Sequence, residues 1–254
     1  MQHRLIVMWA PPRSLSTAFV RVIAARGDFT VVHEPLCDLS ACGEYKHPKQ
    51  ENSSPPLNSP TALFDYIQTL RSHSAVFIKD TCEFDYRHLL AGTPYLREAQ
   101  HVFMLRNPEK VINSHYHVNP QLTCNEVGYQ NLAQLYDSVK AESIHAPLFV
   151  DADDLLDNPD AAISLFCSEA NLQHLSTALQ WESGHLDVWE RTRHWHLDAA
   201  NSTRIAPIER QYSTRVDNHP MLNEFYLENM PYYQYLKNQR ETVKNNTLSL
   251  AGDC

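Results

Sequence analysis

One arginine and three hydroxyl side chains cluster where a short apolar run passes into a helical pattern near the start of the chain. The apolar run is Leu5–Trp9, and the helical pattern covers Ser16–Arg26. Where a strand feeds directly into a helix, the first helical N–H groups lack intrahelical partners, and the helix dipole favours negative charge there. Arginine adds a planar fork of donors that suits phosphate or sulfate. We therefore expect an anion-binding loop, and its polar residues are Arg13, Ser14, Ser16 and Thr17.

The same turn lacks the residues of a nucleotide-hydrolysing phosphate loop. Such a loop reads GxxxxGK[ST], whereas Pro11–Thr17 contains neither glycine nor lysine. We expect the anion to be held without magnesium. The alternative is that the serines and the threonine only cap the helix, but capping does not account for the preceding Pro-Pro-Arg.

Glu34 follows a second predicted strand, Phe29–His33, and is a candidate general base. Pro35 biases Glu34 toward an extended backbone. Partial burial raises the pKa of a carboxyl toward neutrality, and general-base help is worth about 10²–10⁴-fold. His33 is the rival for this role; because strand neighbours point to opposite faces, only one of the two is expected to reach the pocket. Alternatively, Glu34 pairs with a nearby arginine and only holds the loop.

Lys79 ends a third predicted strand, Ala75–Lys79, and could neutralise charge on a transferred group. The alternative is a structural ion pair of Lys79 with Asp80 or Glu34. The sequence leaves both interpretations open.

A second candidate anion-binding site follows the predicted strand His101–Leu105. Arg106 comes directly after it, Asn107 suits the N-cap, and Pro108 suits the first helical position. Ser114 lies about two turns further on, near the same face of the helix. An arginine and a serine so placed could hold a second phosphate.

Short apolar runs alternate with helical patterns along residues 5–170, which predicts a parallel sheet with helices on both faces. Ligands of such sheets bind beyond the carboxyl ends of the strands, where the candidate residues all fall. The fifth predicted strand is Leu148–Val150. The remaining predicted helices are Thr61–Ser72, Pro108–Tyr116, Val127–Glu142 and Asp160–Glu169.

Two segments interrupt this alternation within a predicted single domain of residues 1–254. Cys37–Pro60 is rich in Pro, Ser, Asn and Lys, and we expect a long loop that serves as a lid or substrate loop. From Trp181 to about residue 240 aromatic and histidine residues accumulate, which predicts a helical C-terminal cap over the sheet.

Composition limits the function further. The 254 residues carry a net charge of −9, which argues against a nucleic-acid or anionic-membrane partner. No stretch is apolar enough to span a bilayer, and the chain shows no basic-then-apolar leader, so we expect no secretion. The six cysteines show no CxxC spacing, and although Cys37 and Cys42 could pair, their scatter favours a reducing, cytoplasmic location.

Together, the two loops resemble those of a known family. Pro12–Thr17 resembles the 5′-phosphosulfate loop of the sulfotransferases, and the run from Arg106 to Ser114 resembles their 3′-phosphate motif, with the same Arg-to-Ser interval. A weaker likeness lies in Val150–Pro159. These enzymes have a P-loop-like α/β fold and move the sulfonate of 3′-phosphoadenosine 5′-phosphosulfate (PAPS) to an alcohol, phenol or amine.

The resemblance implies a role for each matching position. Arg106 and Ser114 would bind the 3′-phosphate of the donor. Glu34 matches a Glu-Pro in members with a carboxylate base, such as the bacterial trehalose-type enzymes, and Lys79 matches the lysine of a Lys-Thr-His segment. The residues implied on the 5′ side are Arg13, Ser14, Leu15, Ser16 and Thr17.

The sequence also departs from the family pattern. Many members have glycine at Leu15, cytosolic members often have lysine at Arg13, and the histidine base of those members is replaced by Thr81. Their C-terminal Arg-Lys-Gly-x-x-Gly motif is absent. Candidates for its role on the 3′-phosphate are Arg191, Arg193 and Arg204.

Several alternatives remain open at this stage. A kinase-like transferase and a non-catalytic nucleotide-binding module are the rival functions. The histidines at 115 and 117, and at 194 and 196, are two apart and face different ways on a helix, so we expect no metal. The acidic balance suggests a cationic or polar small molecule as acceptor, and a homodimer is left open.

Overall fold

Five parallel strands form a single sheet in the order β2-β3-β1-β4-β5. The structure is a computed structural model that describes residues 2–51 and 53–252. This confirms the predicted α/β class, and each predicted strand is present within about two residues of its predicted ends. The strands are β1 (Leu5–Ala10), β2 (Phe29–His33), β3 (Ala75–Thr81), β4 (Gln100–Leu105) and β5 (Leu148–Asp151).

The central strand β1 is buried on both faces, as a continuous apolar run in a parallel sheet should be. Leu5, Val7 and Trp9 belong to the core on one face of the sheet. The alternate residues Ile6 and Met8 belong to the core on the other. Helices cover both faces, so the sheet edge formed by the strand ends is the place left for a site.

Eleven helices surround the sheet in the described residues, and the five predicted ones are among them. Asn107 accepts a hydrogen bond from the amide of Glu109 and Pro108 opens its helix, as the sequence predicts. The helices are α1 (Ser16–Arg26), α2 (Pro35–Cys42), α3 (Pro60–Arg71), α4 (Arg87–Leu90), α5 (Pro94–Glu98), α6 (Pro108–Val118), α7 (Tyr129–Glu142), α8 (Ala152–Asp157), α9 (Pro159–Glu169), α10 (Leu197–Asn201) and α11 (Pro220–Gly252).

The expectation of one long loop over Cys37–Pro60 is wrong at its start. Helix α2 continues to Cys42 and ends at Gly43, which has a φ of 74°. Tyr45 and Leu57 then pair their backbones in an antiparallel bridge. Residues 43–51 and 53–59 are otherwise irregular, and residue 52 lies outside the described residues.

The C-terminal part is helical in several pieces, as predicted for a cap. A 3₁₀ helix, Asp187–Trp195, leads into α10, and Trp189 is fully buried in the core on the α1 side of the sheet. Helix α11 packs on the opposite side, against α6 and α7. The chain therefore returns across both faces after the last strand.

Within residues 2–51 and 53–252, no helix has both the length and the apolarity to cross a bilayer.

Candidate active site

The loop between β1 and α1 presents an open helix N-terminus. Leu15 is the N-cap residue, and its side chain makes no capping bond. The hydroxyl of Ser14 donates to the Pro11 carbonyl at 2.7 Å, and both Ser14 and Ser16 are buried. Since no hydroxyl here serves as the N-cap, the capping alternative does not describe this turn.

Two residues of the loop adopt a left-handed backbone. Arg13 has a φ of 60° and Leu15 a φ of 71°. Such angles disfavour any residue with a Cβ by about 1 kcal/mol or more and are natural for glycine. Leu15 therefore takes the conformation that a glycine would adopt there, and the shape of the loop does not require glycine.

Arg13 crosses from the first loop to the second motif. Its Nε donates to Ser114 Oγ at 3.2 Å. Its Nη1 donates to the Trp195 carbonyl at 2.8 Å, and its Nη2 pairs with the Asp198 carboxylate at 3.2 Å. The side chain is only 17% exposed. The structure thus brings the two sequence motifs together and adds the C-terminal segment to them.

Arg106 lies directly beside this group. Its Nη1 donates to the backbone carbonyl of Arg13 at 2.6 Å, and the hydroxyl of Tyr129 donates to the Arg106 carbonyl. Its Nε is buried and has no hydrogen-bond partner among the described residues. Burial lowers the pKa of the guanidinium. An orphaned buried donor next to a second arginine suits an anionic ligand.

Gly128 lets the start of α7 lie close to the residue after β3 and to the first loop. A Cβ on this residue would lie 2.9 Å from the Cys82 carbonyl oxygen and 3.4 Å from Pro12. Its φ of 87° is also left-handed. No other residue type fits this position without moving backbone.

Glu34 and Lys79 form a buried ion pair at the ends of β2 and β3. The Lys79 ammonium contacts Oε1 of Glu34, and both side chains are almost entirely buried. Burial raises the pKa of the Glu34 carboxyl, but the ammonium and two nearby imidazoles outweigh it and lower that pKa to about 2. Glu34 is therefore ionised in this arrangement. The ion pair that the sequence left open as an alternative for Lys79 is present.

The backbone of Glu34 differs from the expectation. Its φ of 51° and ψ of 42° are left-handed, not extended. The bias before Pro35 is overcome because Glu34 turns the chain from β2 into α2 within one residue. Strand alternation ends at this turn, so the expectation that only one of His33 and Glu34 reaches the pocket is wrong; His33 Nε2 lies 3.5 Å from Glu34 Oε1.

His196, in the C-terminal segment, lies beside His33 and Glu34. Its Nε2 lies 3.2 Å from Nε2 of His33 and 3.0 Å from the Thr192 hydroxyl, and its Nδ1 lies 3.5 Å from the Thr17 hydroxyl. Burial lowers the pKa of His196 to about 4 and that of His33 well below its usual value. Both imidazoles are therefore neutral near pH 7.

Ligand atoms of His33, Glu34 and His196 lie within 4.8 Å of one another, close enough for a metal ion. The Lys79 ammonium, however, already contacts Oε1 of Glu34. A divalent cation there would have to displace that positive charge. The charge of Glu34 is already balanced by Lys79, and the two neighbouring histidines are neutral.

Sequence reasoning missed Glu83, two residues beyond the end of β3. Its carboxylate accepts from the Thr81 hydroxyl at 3.1 Å and from the Cys37 thiol at 3.6 Å, and it lies 3.9 Å from His115. Burial and the Glu34 carboxylate raise the pKa of Glu83 to about 7. The alternation of side chains from Lys79 onward could have pointed to Glu83, since positions 79, 81 and 83 share one face.

The three arginines proposed to replace the missing C-terminal motif contact other groups. Arg191 donates to the Glu44 carbonyl at 3.2 Å, and Arg193 pairs with Glu190. Arg204 lies in a backbone bridge with Gln180. Ser114 accepts its hydrogen bond from Arg13 and not from one of these three arginines.

Comparisons with known proteins identify the family of this chain. The chain belongs to a family of sulfotransferase domains, and the sequence model of that family matches residues 4–240. The family is that of the sulfotransferases, enzymes that transfer sulfonate groups.

Two solved structures have the same fold at low sequence identity. One is the sulfotransferase domain of the Synechococcus PCC 7002 olefin synthase, with a TM-score of 0.51, 15% identity, and coverage of 89% of this chain and 94% of that one. The other is mouse sulfotransferase SULT7A1 complexed with PAP, with a TM-score of 0.50, 11% identity, and coverage of 96% and 89%.

Two curated relatives come from Arabidopsis thaliana. They are branched-chain-amino-acid aminotransferase-like protein 2, 25% identical over 242 residues, and protein 1, 26% identical over 259 residues. They match 92% and 98% of this chain but only 41% and 44% of their own lengths. The chain thus spans less than half of these relatives.

Proposed function

We propose that this sulfotransferase moves a sulfonate group from PAPS to a hydroxyl or amine of a small molecule. The observation that carries the proposal is the junction of the two motifs: Arg13 contacts Ser114, and Arg106 contacts the Arg13 backbone. Two guanidinium groups, a serine and an open helix N-terminus converge on one space. A nucleotide with phosphate groups at both ends would accept hydrogen bonds from all of these groups.

The residues present fit such a donor. The orphaned Nε of Arg106 supplies a buried bond to the 3′-phosphate, next to the Ser114 hydroxyl. Arg13 and the amides at the start of α1 bind the 5′ side, together with Ser14, Ser16 and Thr17. Leu15 contributes backbone, because its left-handed conformation shapes the turn.

Lys79 and Glu34 perform the transfer step in this proposal. As the donor binds, the Lys79 ammonium moves from Glu34 toward the sulfonate and stabilises its charge. Glu34, buried and now without its cation, becomes more basic and takes the acceptor's proton. The sulfur–oxygen bond to the 5′-phosphate breaks while a bond from sulfur to the acceptor forms, and PAP leaves with the electron pair. His33, 3.5 Å from Glu34, remains the rival base.

The acceptor is proposed to be a cationic or polar small molecule. Asp38 and Glu83 lie near Glu34, and burial raises the pKa of Asp38 to about 6. A cation would favour the ionised form of both carboxyls. A screen in which neutral phenols outcompete amines and guanidines would reject this part. Transfer without a metal, a cytoplasmic location and a homodimer remain predictions. Cys37 and Cys42, which could have formed a disulfide, are both free thiols in the structure.

The direct test is a transfer assay with PAPS and mixed alcohols, phenols and amines, with PAP release followed by chromatography. Wild-type protein should release PAP in proportion to a sulfonated product, and Glu34→Gln should lose at least about 100-fold of this rate. Magnesium-dependent ATP turnover would instead support a kinase-like enzyme. PAP binding that Glu34→Ala leaves intact, with no transfer to any acceptor, would support a non-catalytic module.

A further inference from the structure

The N-terminus of α2 is capped by a side chain from another strand. Glu34 is the N-cap residue, but its own side chain makes no capping bond. Asp80 of β3 makes these bonds: its Oδ2 accepts from the Leu36 amide at 2.8 Å and its Oδ1 from the Cys37 amide at 3.1 Å. Pro35 has no N–H, so these are the two amides that an N-cap side chain ordinarily serves.

This exchange of partners frees the Glu34 carboxylate. A side chain at an N-cap position usually folds back onto the amides of its own helix. Because Asp80 occupies those amides, Glu34 points to the Lys79 ammonium instead. The capping bonds also hold the turn in which Glu34 has its left-handed backbone, a conformation that a residue with a Cβ adopts only under constraint.

Asp80 is itself fixed in place. Its side chain is fully buried, and Oδ1 also accepts from the Thr81 amide at 3.2 Å. Burial raises the pKa of this carboxyl, while the amide bonds from α2 favour its ionised form. Lys79 and Asp80, neighbours on one strand, thus hold the same turn from two sides: Lys79 binds the carboxylate of Glu34, and Asp80 binds the amides that follow it.

We propose that Asp80 is a positioning residue for sulfonate transfer, because capping α2 from β3 keeps the Glu34 carboxylate free for the acceptor's proton. The proposal rests on the role of Glu34 given above. Asp80 is fully buried, so in this proposal it acts through Glu34 and contacts no substrate. Without the Asp80 carboxylate the Leu36 and Cys37 amides lose their acceptor, and we expect the Glu34 side chain, which stands at the N-cap position, to fold back onto α2 and leave Lys79. The donor-binding arginines belong to other loops and keep their contacts.

The test compares Asp80→Asn, which keeps one oxygen acceptor, and Asp80→Ser, which keeps a hydroxyl, with Asp151→Asn as matched control. Asp151 also ends a strand and caps a helix, accepting from the Asp153 amide at 2.9 Å, but it serves α8. We expect kcat of both Asp80 variants to fall by about 10–100-fold, part of the contribution of a general base. KM and PAP affinity should stay within about threefold, as should kcat of Asp151→Asn.

Two further readouts separate positioning from simple loss of stability. The limb of the pH–kcat profile that reports the base should move to lower pH in Asp80→Asn, because the α2 amides then stabilise the ionised Glu34 carboxylate and the like charge of Asp80 beside it is gone. Hydrogen exchange at the Leu36 and Cys37 amides should accelerate, because an intermittent cap from Glu34 replaces the fixed one from Asp80, while exchange in β1 is unchanged. Folded Asp80 variants with wild-type kcat and an unshifted pH profile overturn the proposal, as does an equal fall of kcat in Asp151→Asn.

Failure of the proposed function would look different. Wild-type protein would then transfer no sulfonate, which also removes the catalytic part of the Asp80 proposal. Amide exchange at Leu36 and Cys37 would still decide whether Asp80 holds the turn. Unchanged exchange at these amides in a folded variant rejects that part, whatever the activity.

Discussion

The Asp198 carboxylate pairs with the Arg13 guanidinium at 3.2 Å, where the 5′ side of PAPS is proposed to bind. Asp198 also pairs with Arg210 at 2.6 Å. A phosphate or sulfonate group bound by Arg13 must compete with this carboxylate. We therefore expect the C-terminal segment to weaken binding of the proposed donor through one negative charge.

Replacing Asp198 with asparagine should tighten PAP binding. Removing the carboxylate frees Arg13 and lowers the negative potential at the loop, and we expect a dissociation constant about 2–5-fold lower, in the range of partly exposed charge pairs. Calorimetry with PAP measures it. Asp187→Asn, which removes an exposed charge from the same segment, is the control for net charge. Equal affinity in wild type and Asp198→Asn would show that the pair does not oppose the donor.

Removing Lys79 should destabilise the protein as well as inactivate it. Lys79→Met leaves Glu34 buried without its cation, and breaking one side of a buried pair costs about 3–5 kcal/mol. The double variant Lys79→Met/Glu34→Gln should recover most of this stability but no activity. Urea unfolding measures both effects, and a single variant as stable as wild type would contradict the buried pair.

Glu83 should make stability depend on pH near neutrality. Its pKa of about 7 lies above the ordinary value of 4.5, so the folded state holds its proton more tightly than the unfolded state. This contribution is fully present below about pH 4.5 and is lost as pH rises through about 7. It is worth at most about 3 kcal/mol, and less because the side chain is 23% exposed.

The test of this dependence is the Glu83→Gln variant. Its free energy of unfolding should fall less than that of wild type between pH 5 and pH 8, pH values chosen to bracket the pKa of about 7. Glu126→Gln, a substitution on the helical turn before α7, is the control. Parallel pH curves for wild type and Glu83→Gln would mean that Glu83 titrates as an ordinary carboxyl.

The sheet and both anion loops could be predicted because their signals are local. Apolar runs mark the strands, and Asn107 followed by Pro108 marks the start of α6 within the sequence itself. Arg13 and Arg106 could be placed at one edge because parallel strands end together. For these features, neighbouring residues carry the whole signal.

The rest depends on residues distant in sequence. Helix α2 was missed because its cap, Asp80, lies more than forty residues away on β3. His196 and Asp198 reach the first loop from the C-terminal segment, which no local pattern ties to Thr17 or Arg13. The left-handed turn at Glu34 overrides the bias before proline, and only the packed structure shows that the side chains of His33 and Glu34 lie beside each other.

The central claim is that Arg13 and Arg106 bind one doubly phosphorylated nucleoside. Calorimetry with PAP should show binding by wild type and by Arg97→Ala, an exposed arginine before β4, at the opposite edge of the sheet. Arg13→Ala and Arg106→Ala should each lose about 1.5–3 kcal/mol of binding free energy per charge-assisted bond removed. Wild-type affinity in either of these two variants, or no PAP binding by the wild-type protein, would contradict it.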